Sequence, residues 1–127
     1  MAPAAPRVLI VDDQPSFRGV ARQLLEWRGY EVAGEAGDAA QAIDCAERLA
    51  PDAVLLDVGL GEDSGFDVCS ALVRARPALA VLLVSNADYT HVDGWVAASG
   101  ARGFALKSRL AEIDLDAFWP TPAPAPA

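Results

Sequence analysis

Continuous runs of apolar residues alternate along the chain with segments in which apolar residues recur every three or four positions. The continuous runs are typical of strands buried on both faces of a sheet, and the periodic segments are typical of amphipathic helices. The predicted strands cover 7–11, 30–36, 53–57, 79–85 and 103–107, of which 30–36 is polar enough for a sheet edge. The predicted helices cover 15–29, 38–50, 65–76 and 90–99.

This alternation predicts an α/β fold with a doubly wound, five-stranded parallel sheet, helices on both faces and right-handed crossovers. The pattern weakens at the end, where 109–119 predicts only a short last helix before Pro120. The organisation expected is a disordered arm over 1–6, one domain over 7–119, and an extended or disordered Ala/Pro tail over 120–127.

Each of the four most apolar strands ends in, or is followed directly by, a residue with a carboxylate, hydroxyl or ammonium group. Because the carboxyl ends of parallel strands meet at one edge of a sheet, we expect these side chains to converge. A single such residue is explained by the need to end a strand in something polar, but four strand ends together are harder to explain by solvation. The residues are Asp12 and Asp13, Asp57, Ser85 and Lys107.

Three carboxylates held within a few ångströms of one another repel unless a cation keeps them ionised. Oxygen ligands are those that Mg²⁺ prefers, so the cluster predicts a magnesium site at this edge. Without the metal, we expect raised carboxylate pKa values. Asp57 stands alone at its strand end, before a loop with three glycines, and is the better candidate for a nucleophile that accepts a phosphoryl group.

Composition narrows the classes of function. The net charge of −8 and the dispersed basic residues argue against direct contact with nucleic acid. No apolar stretch approaches the length of a membrane span and the first residues lack the core of a signal peptide, so we expect a soluble, cytoplasmic protein. Cys45 and Cys69 fit neither a zinc nor a redox spacing and are expected to be packing residues.

Four stretches, VLIVDD, LLDVGLGEDSG, LLVS and GARGFALK, resemble the receiver domain of two-component response regulators in order and spacing. The resemblance covers residues 7 to about 119. It implies a flavodoxin-like fold with strand order 2-1-3-4-5. It also implies a phosphoprotein that accepts a phosphoryl group from a histidine kinase or phosphotransfer protein and acts on a downstream protein target. Such a domain is not an enzyme beyond catalysing its own phosphorylation and dephosphorylation.

The resemblance also implies roles for single residues. Asp57 would be the phosphoacceptor, and Asp12 and Asp13 would hold Mg²⁺ together with Asp57 and the main-chain carbonyl of Gly59. Lys107 would pair with phosphoryl oxygens. Ser85 would be the switch hydroxyl, and Phe104 would be the switch aromatic. Phosphorylation would then shift the conformation of an output face formed by the fourth helix, the fifth strand and the last helix.

Three departures from the family pattern concern the residues that follow Lys107, Leu60 and Ser85. Ser108 follows Lys107 where proline is common, so the lysine loop is expected to be less fixed. Gly61 stands where proline is usual after Leu60, which should loosen the loop beyond Asp57. Asn86 follows the switch serine where a small residue is usual, and it is expected to crowd or hydrogen-bond the phosphoryl site.

Alternative functions remain to be weighed. A phosphorylation-independent interaction module of the same fold stays open, although the intact acidic group with Lys107 argues against it. A phosphatase of the haloacid dehalogenase type is disfavoured, because its DxD motif at the first strand is absent from VDDQP. The chain is expected to act alone or to be cut from a larger regulator. His91 lacks the surroundings of a phosphodonor, so the donor should be another protein.

Overall fold

The computed structural model describes residues 6–87 and 92–119. The predicted arm, apart from Pro6, the predicted tail, His91 and the start of the fourth predicted helix lie outside these residues. The main sheet comprises β1 (Arg7–Val11), β2 (Glu31–Ala36), β3 (Ala53–Asp57), β4 (Ala80–Ser85) and β5 (Gly103–Leu106). The α-helices of the described part are α1 (Pro15–Trp27), α2 (Ala39–Leu49), α3 (Gly65–Ala75) and α4 (Asp93–Ser99).

The five strands are all parallel and lie in the order β2-β1-β3-β4-β5. This confirms the predicted fold class and strand order. Every residue of β3 and β4 is buried, as their continuous apolar sequences predict. Helices α2 and α3 cover one face of the sheet, and α1 with the segment after β5 covers the other. No helix in the described ranges has the length and apolarity needed to span a bilayer.

Strand β2 forms one edge of the sheet, as its polar sequence predicts. Its pairing with β1 contains a bulge, because Val8 lies opposite Val32 whereas Leu9 lies opposite Gly34. Ala33 is therefore the additional residue on the edge strand. Such a bulge disrupts the ladder of hydrogen bonds and increases the local twist.

Helix α1 packs on β1 through a narrower stripe than its sequence predicts. Ala21 and Leu25 are buried one turn apart, and Phe17 and Leu24 are partly buried beside them. Val20, which the spacing also assigned to the apolar face, is 64% exposed. Because each residue turns the helix by about 100°, Val20 falls just outside the arc centred on Ala21 and Leu25.

The segment after β5 differs from the predicted short last helix. It consists of two 3₁₀ turns, Lys107–Arg109 and Leu115–Ala117. The Arg28 guanidinium donates hydrogen bonds to the carbonyls of Ala111 and Ile113, at 2.6 Å for the latter. These two carbonyls therefore accept hydrogen bonds from a side chain, whereas in an α-helix they would accept them from backbone N–H groups. The Asp114 carboxylate accepts a hydrogen bond from the Asp116 N–H, which starts a new turn in the middle of the predicted helix.

Tyr30 and Trp119 fasten this segment to the sheet. Their rings meet edge to face with centroids 5.3 Å apart, and Trp119 is 2% exposed. The Tyr30 hydroxyl donates a hydrogen bond to the Asp116 carboxylate. Burial, and then the hydrogen bond to Asp116, raise the pKa of Tyr30 well above its ordinary value. The segment is therefore an integral layer of the fold although it lacks an α-helix.

Candidate functional site

The three predicted acids lie together at the carboxyl edge of the sheet. One oxygen from each of Asp12, Asp13 and Asp57 can be chosen so that all three lie within 4.8 Å of one another. Asp12 and Asp57 are buried, whereas Asp13 is exposed. The arrangement follows from the parallel pairing of β1 with β3, which ends both strands at the same level.

Lys107 reaches the same place from the end of β5. Its Nζ lies 2.6 Å from Asp12 Oδ2 and 3.2 Å from Asp57 Oδ2, and its side chain is 6% exposed. The residue begins the first 3₁₀ turn, which the hydrogen bond from the Leu110 N–H to the Lys107 carbonyl closes at 3.2 Å. The ammonium therefore bridges two of the three carboxylates.

The backbone around Asp12 is held on both sides. The Asp12 N–H donates to the Ala36 carbonyl of β2 at 3.0 Å, and the Arg18 guanidinium donates to the Asp12 carbonyl at 2.6 Å. Arg18 is itself paired with Glu35 at 3.1 Å, and Glu35 also accepts from Arg22 at 2.8 Å. This support for Asp12 is not predicted by the sequence pattern. The only signal for it is a pair of arginines one helical turn apart opposite a glutamate on an edge strand.

The Asp12 carboxylate offers an oxygen suited to a metal ion. Asp12 Oδ1 accepts a hydrogen bond from the Gln14 N–H at 2.8 Å. Asp12 Oδ2 is buried and accepts no hydrogen bond within the described residues, and its charge partner there is the Lys107 ammonium at 2.6 Å. Buried oxygens of this kind are normally satisfied, and hard divalent cations prefer oxygen ligands. The residues present therefore fit a divalent cation.

The electrostatics of Asp57 agree with this interpretation. Burial raises the pKa of the Asp57 carboxyl group above its ordinary value, and the negative charge of Asp12 raises it further. The Lys107 ammonium and a hydrogen bond from the Gly59 N–H to Asp57 Oδ1, at 3.2 Å, act in the opposite direction. This direction is the one predicted for a carboxylate without a metal, although burial contributes more to it than repulsion from Asp12. Additional positive charge at this edge would favour the ionised form.

Ser85 and Phe104 lie on the neighbouring strands. Ser85 is the buried last residue of β4, one position beyond Val84, which pairs with Asp57. Its hydroxyl accepts a hydrogen bond from the Ala87 N–H at 3.2 Å. Phe104 pairs with Leu83 and is partly buried against the core cluster on that face of the sheet. Asn86 is exposed.

The loop after Asp57 forms a small antiparallel hairpin, Gly59–Leu60 with Asp63–Ser64. Gly61 lies at its turn with φ of +66°, a conformation that proline cannot adopt. The glycine that was expected to loosen this loop is therefore the residue that allows its turn. Glu62 and Asp63 are exposed and do not belong to the group of acids at the sheet edge.

At Gly65 the backbone lies so close to the end of β3 that there is no room for a Cβ atom. A Cβ atom at this position would lie 2.2 Å from the carbonyl oxygen of Asp57 and 2.6 Å from Cα of Val58. The close approach at this glycine is thus to the backbone of the protein itself. Here α3 begins directly against the end of β3.

Replacing Gly65 with alanine should lower the free energy of unfolding by about 2 to 3 kcal/mol, because the new methyl group meets rigid backbone. Urea denaturation would measure the change. Gly19→Ala is the matched control, since a Cβ there meets nothing within 4 Å on an exposed helical position. The control should gain up to about 1 kcal/mol. Wild-type stability in Gly65→Ala would show that the close approach is not real.

Comparison with known proteins agrees with this geometry. The response regulator receiver domain family matches residues 8–115. The chain is 40% identical over 120 residues to the nitrate/nitrite response regulator protein NarP of Escherichia coli, covering 93% of this chain and 56% of NarP. It is 31% identical over 101 residues to the chemotaxis protein CheY of Thermotoga maritima, covering 80% of this chain and 84% of CheY. The chain thus spans little more than half of NarP, and about half or less of several other relatives.

A solved structure leads to the same family. It is a response regulator protein from Burkholderia pseudomallei with a phosphorylated aspartic acid, a calcium ion and citrate. The TM-score is 0.80 at 26% identity, and the match covers 89% of this chain and 66% of the other. With the sheet order, the edge acids and the match over residues 8–115, the chain belongs to the response regulator receiver domain family of two-component systems.

Proposed function

We propose that Asp57 accepts a phosphoryl group from a histidine kinase or phosphotransfer protein and that this reaction depends on Mg²⁺. The observation that carries the proposal is the meeting of three carboxylates and one ammonium at the end of β3. Asp57 ends that strand, with Lys107 Nζ 3.2 Å from its Oδ2. The phosphorylated aspartic acid and calcium ion of the B. pseudomallei response regulator support the same chemistry.

In the proposed step, an oxygen of the Asp57 carboxylate forms a bond to the phosphorus of a phosphohistidine while the P–N bond breaks. The electron pair of that bond stays on the departing imidazole nitrogen, and the product is an acyl phosphate on Asp57. The reaction requires the ionised carboxylate, which the Lys107 ammonium favours. Loss of the phosphoryl group would follow when water attacks phosphorus and the carboxylate leaves.

Asp12, Asp13, Asp57 and the Gly59 carbonyl are the proposed metal ligands. A bound Mg²⁺ would supply neutralisation of the charge on the phosphoryl oxygens. The hydrogen bonds that fix Asp12 at its N–H, its carbonyl and its Oδ1 keep one carboxylate in place for this purpose. Lys107 provides the second positive charge, on the side of β5.

Ser85 and Phe104 are the proposed switch residues. The Ser85 hydroxyl, which now accepts from the Ala87 N–H, would turn to donate a hydrogen bond to the phosphoryl group. Phe104 would move with it and change the surface formed by α4 and β5. In this chain the last helix of the predicted output face is replaced by the two 3₁₀ turns. The output face is therefore proposed to be α4, β5 and the segment 107–119, and its target a cytoplasmic protein.

Incubation with acetyl phosphate and MgCl₂, followed by intact mass spectrometry, tests the proposal. We expect the mass to rise by one phosphoryl group in wild type and to stay unchanged in Asp57→Asn or with EDTA. Glu62→Gln is the matched control, because this exposed acid lies in the same loop outside the cluster, and it should be labelled like wild type. No labelling of wild type, or labelling that survives Asp57→Asn, would instead favour a phosphorylation-independent interaction module.

A further inference from the structure

Lys107 also lies over an aromatic ring that the proposed mechanism does not use. Its Nζ is 4.3 Å from the centroid of Phe17, which lies in the first turn of α1. The lysine is followed by Ser108 in a 3₁₀ turn, so its loop lacks the rigid proline common in the family. We propose that Phe17 is a positioning residue that holds the Lys107 ammonium at the phosphoryl site. This inference rests on the proposed function of that site.

The ring differs from the other contacts of the ammonium. Asp12 and Asp57 pair with Lys107 in this structure, but both are also proposed metal ligands. When a metal ion and a phosphoryl group occupy the site, each of these carboxylates therefore loses part of its interaction with Lys107. Phe17 has no such second role, and its side chain packs against the core cluster between α1 and the sheet. The contact with the ring is thus the one that persists when the carboxylates change partners.

The burial of the pair makes the contact effective. The Lys107 side chain is 6% exposed, so water competes little for its ammonium. The face of an aromatic ring carries partial negative charge, and its attraction for a cation rises as the cation is desolvated. Removing this attraction should weaken binding at the phosphoryl site about threefold to tenfold, which lies between the effects typical of exposed and of fully desolvated pairs.

Fluorinated phenylalanines at position 17 provide a test that packing alone does not influence. One, two or three fluorine atoms withdraw charge from the ring face with little change in its size. The measurement is the affinity for beryllofluoride, an analogue of the phosphoryl group, in the presence of Mg²⁺. We expect the affinity to fall stepwise with fluorine number, and to fall about threefold to tenfold in Phe17→Leu. Equal affinity across the series would overturn the proposal.

A second measurement needs neither metal nor phosphorylation. In the metal-free protein the Phe17 ring current should shift the Lys107 ε-methylene proton resonances upfield, and Phe17→Leu should remove that shift. Leu24→Ala is the matched control, because Leu24 is another partly buried side chain of α1 packed on the same core cluster and lies outside the proposed site and output face. It should leave the shift and the beryllofluoride affinity unchanged. Absence of the shift in wild type would overturn the inference while leaving the proposed function testable by phosphorylation of Asp57.

Discussion

Replacing Lys107 with methionine is expected to lower the free energy of unfolding by about 3 to 5 kcal/mol at neutral pH without metal. The ammonium contacts Asp12 and Asp57, whose side chains are 1% and 10% exposed. Its loss leaves buried carboxylates without a counter-charge, and removal of one partner from a buried ion pair is costly. Urea denaturation in EDTA would measure the loss, and saturating Mg²⁺ should restore much of it.

The effect should depend on pH in a defined direction. The folded protein raises the pKa of Asp57, mainly through burial, so folding favours the protonated carboxyl group. Stability associated with this group is complete below its unfolded pKa of about 4 and is lost as pH rises through the folded value. The difference in free energy of unfolding between wild type and Lys107→Met should therefore become smaller as pH falls towards 4. A deficit of equal size at every pH would contradict the electrostatic explanation.

Asp57→Asn is a control that should change the free energy of unfolding in the opposite direction. It removes one of two neighbouring negative charges and leaves Lys107 paired with Asp12 at 2.6 Å. Without metal at neutral pH, the variant should be more stable than wild type by on the order of 1 kcal/mol. It should also gain less stability than wild type from added Mg²⁺, because it has lost one of the proposed ligands. Destabilisation by Asp57→Asn would mean that the carboxylate pairs favourably with Lys107 even without metal.

Replacing Trp119 with alanine is expected to lower the free energy of unfolding by about 3 to 5 kcal/mol. The side chain is 2% exposed and stacks edge to face on Tyr30. Removing it leaves a cavity beneath the segment after β5, whose own backbone hydrogen bonds form only short turns. Chemical denaturation followed by circular dichroism would measure the loss, since tryptophan fluorescence is itself changed by the substitution.

Two further variants sharpen this measurement. Trp27→Ala removes a tryptophan that is 84% exposed and should change stability by less than about 0.5 kcal/mol. Trp119→Phe should cost less than the alanine substitution, because it keeps a ring and removes an indole N–H without a hydrogen-bond partner in the described part of the chain. A loss below about 1 kcal/mol in Trp119→Ala would show that the segment lies outside the cooperative fold.

Strands β1, β3 and β4 were predictable because strands buried on both faces have continuous apolar sequences, and the polar sequence of β2 indicated an edge strand. The edge acids followed, since parallel strands must end at a common level. The segment after β5 was not predictable as 3₁₀ turns, because its conformation depends on Arg28, more than 80 positions away, which takes two of its carbonyls. For the same reason the contacts of Phe17 with Lys107 and of Arg18 with Asp12 were not predictable. Nothing in the local pattern of α1 shows which strand ends its side chains reach.

The bulge at Ala33 has a consequence for the behaviour of the protein at high concentration. An edge strand offers unpaired amides and carbonyls to any other chain, and flat apolar edges promote aggregation. Here the extra residue twists β2 away from a regular template, and Glu31 and Glu35 place charge on the same strand. Together with the net charge of −8, these features should make intermolecular strand pairing through this edge unfavourable.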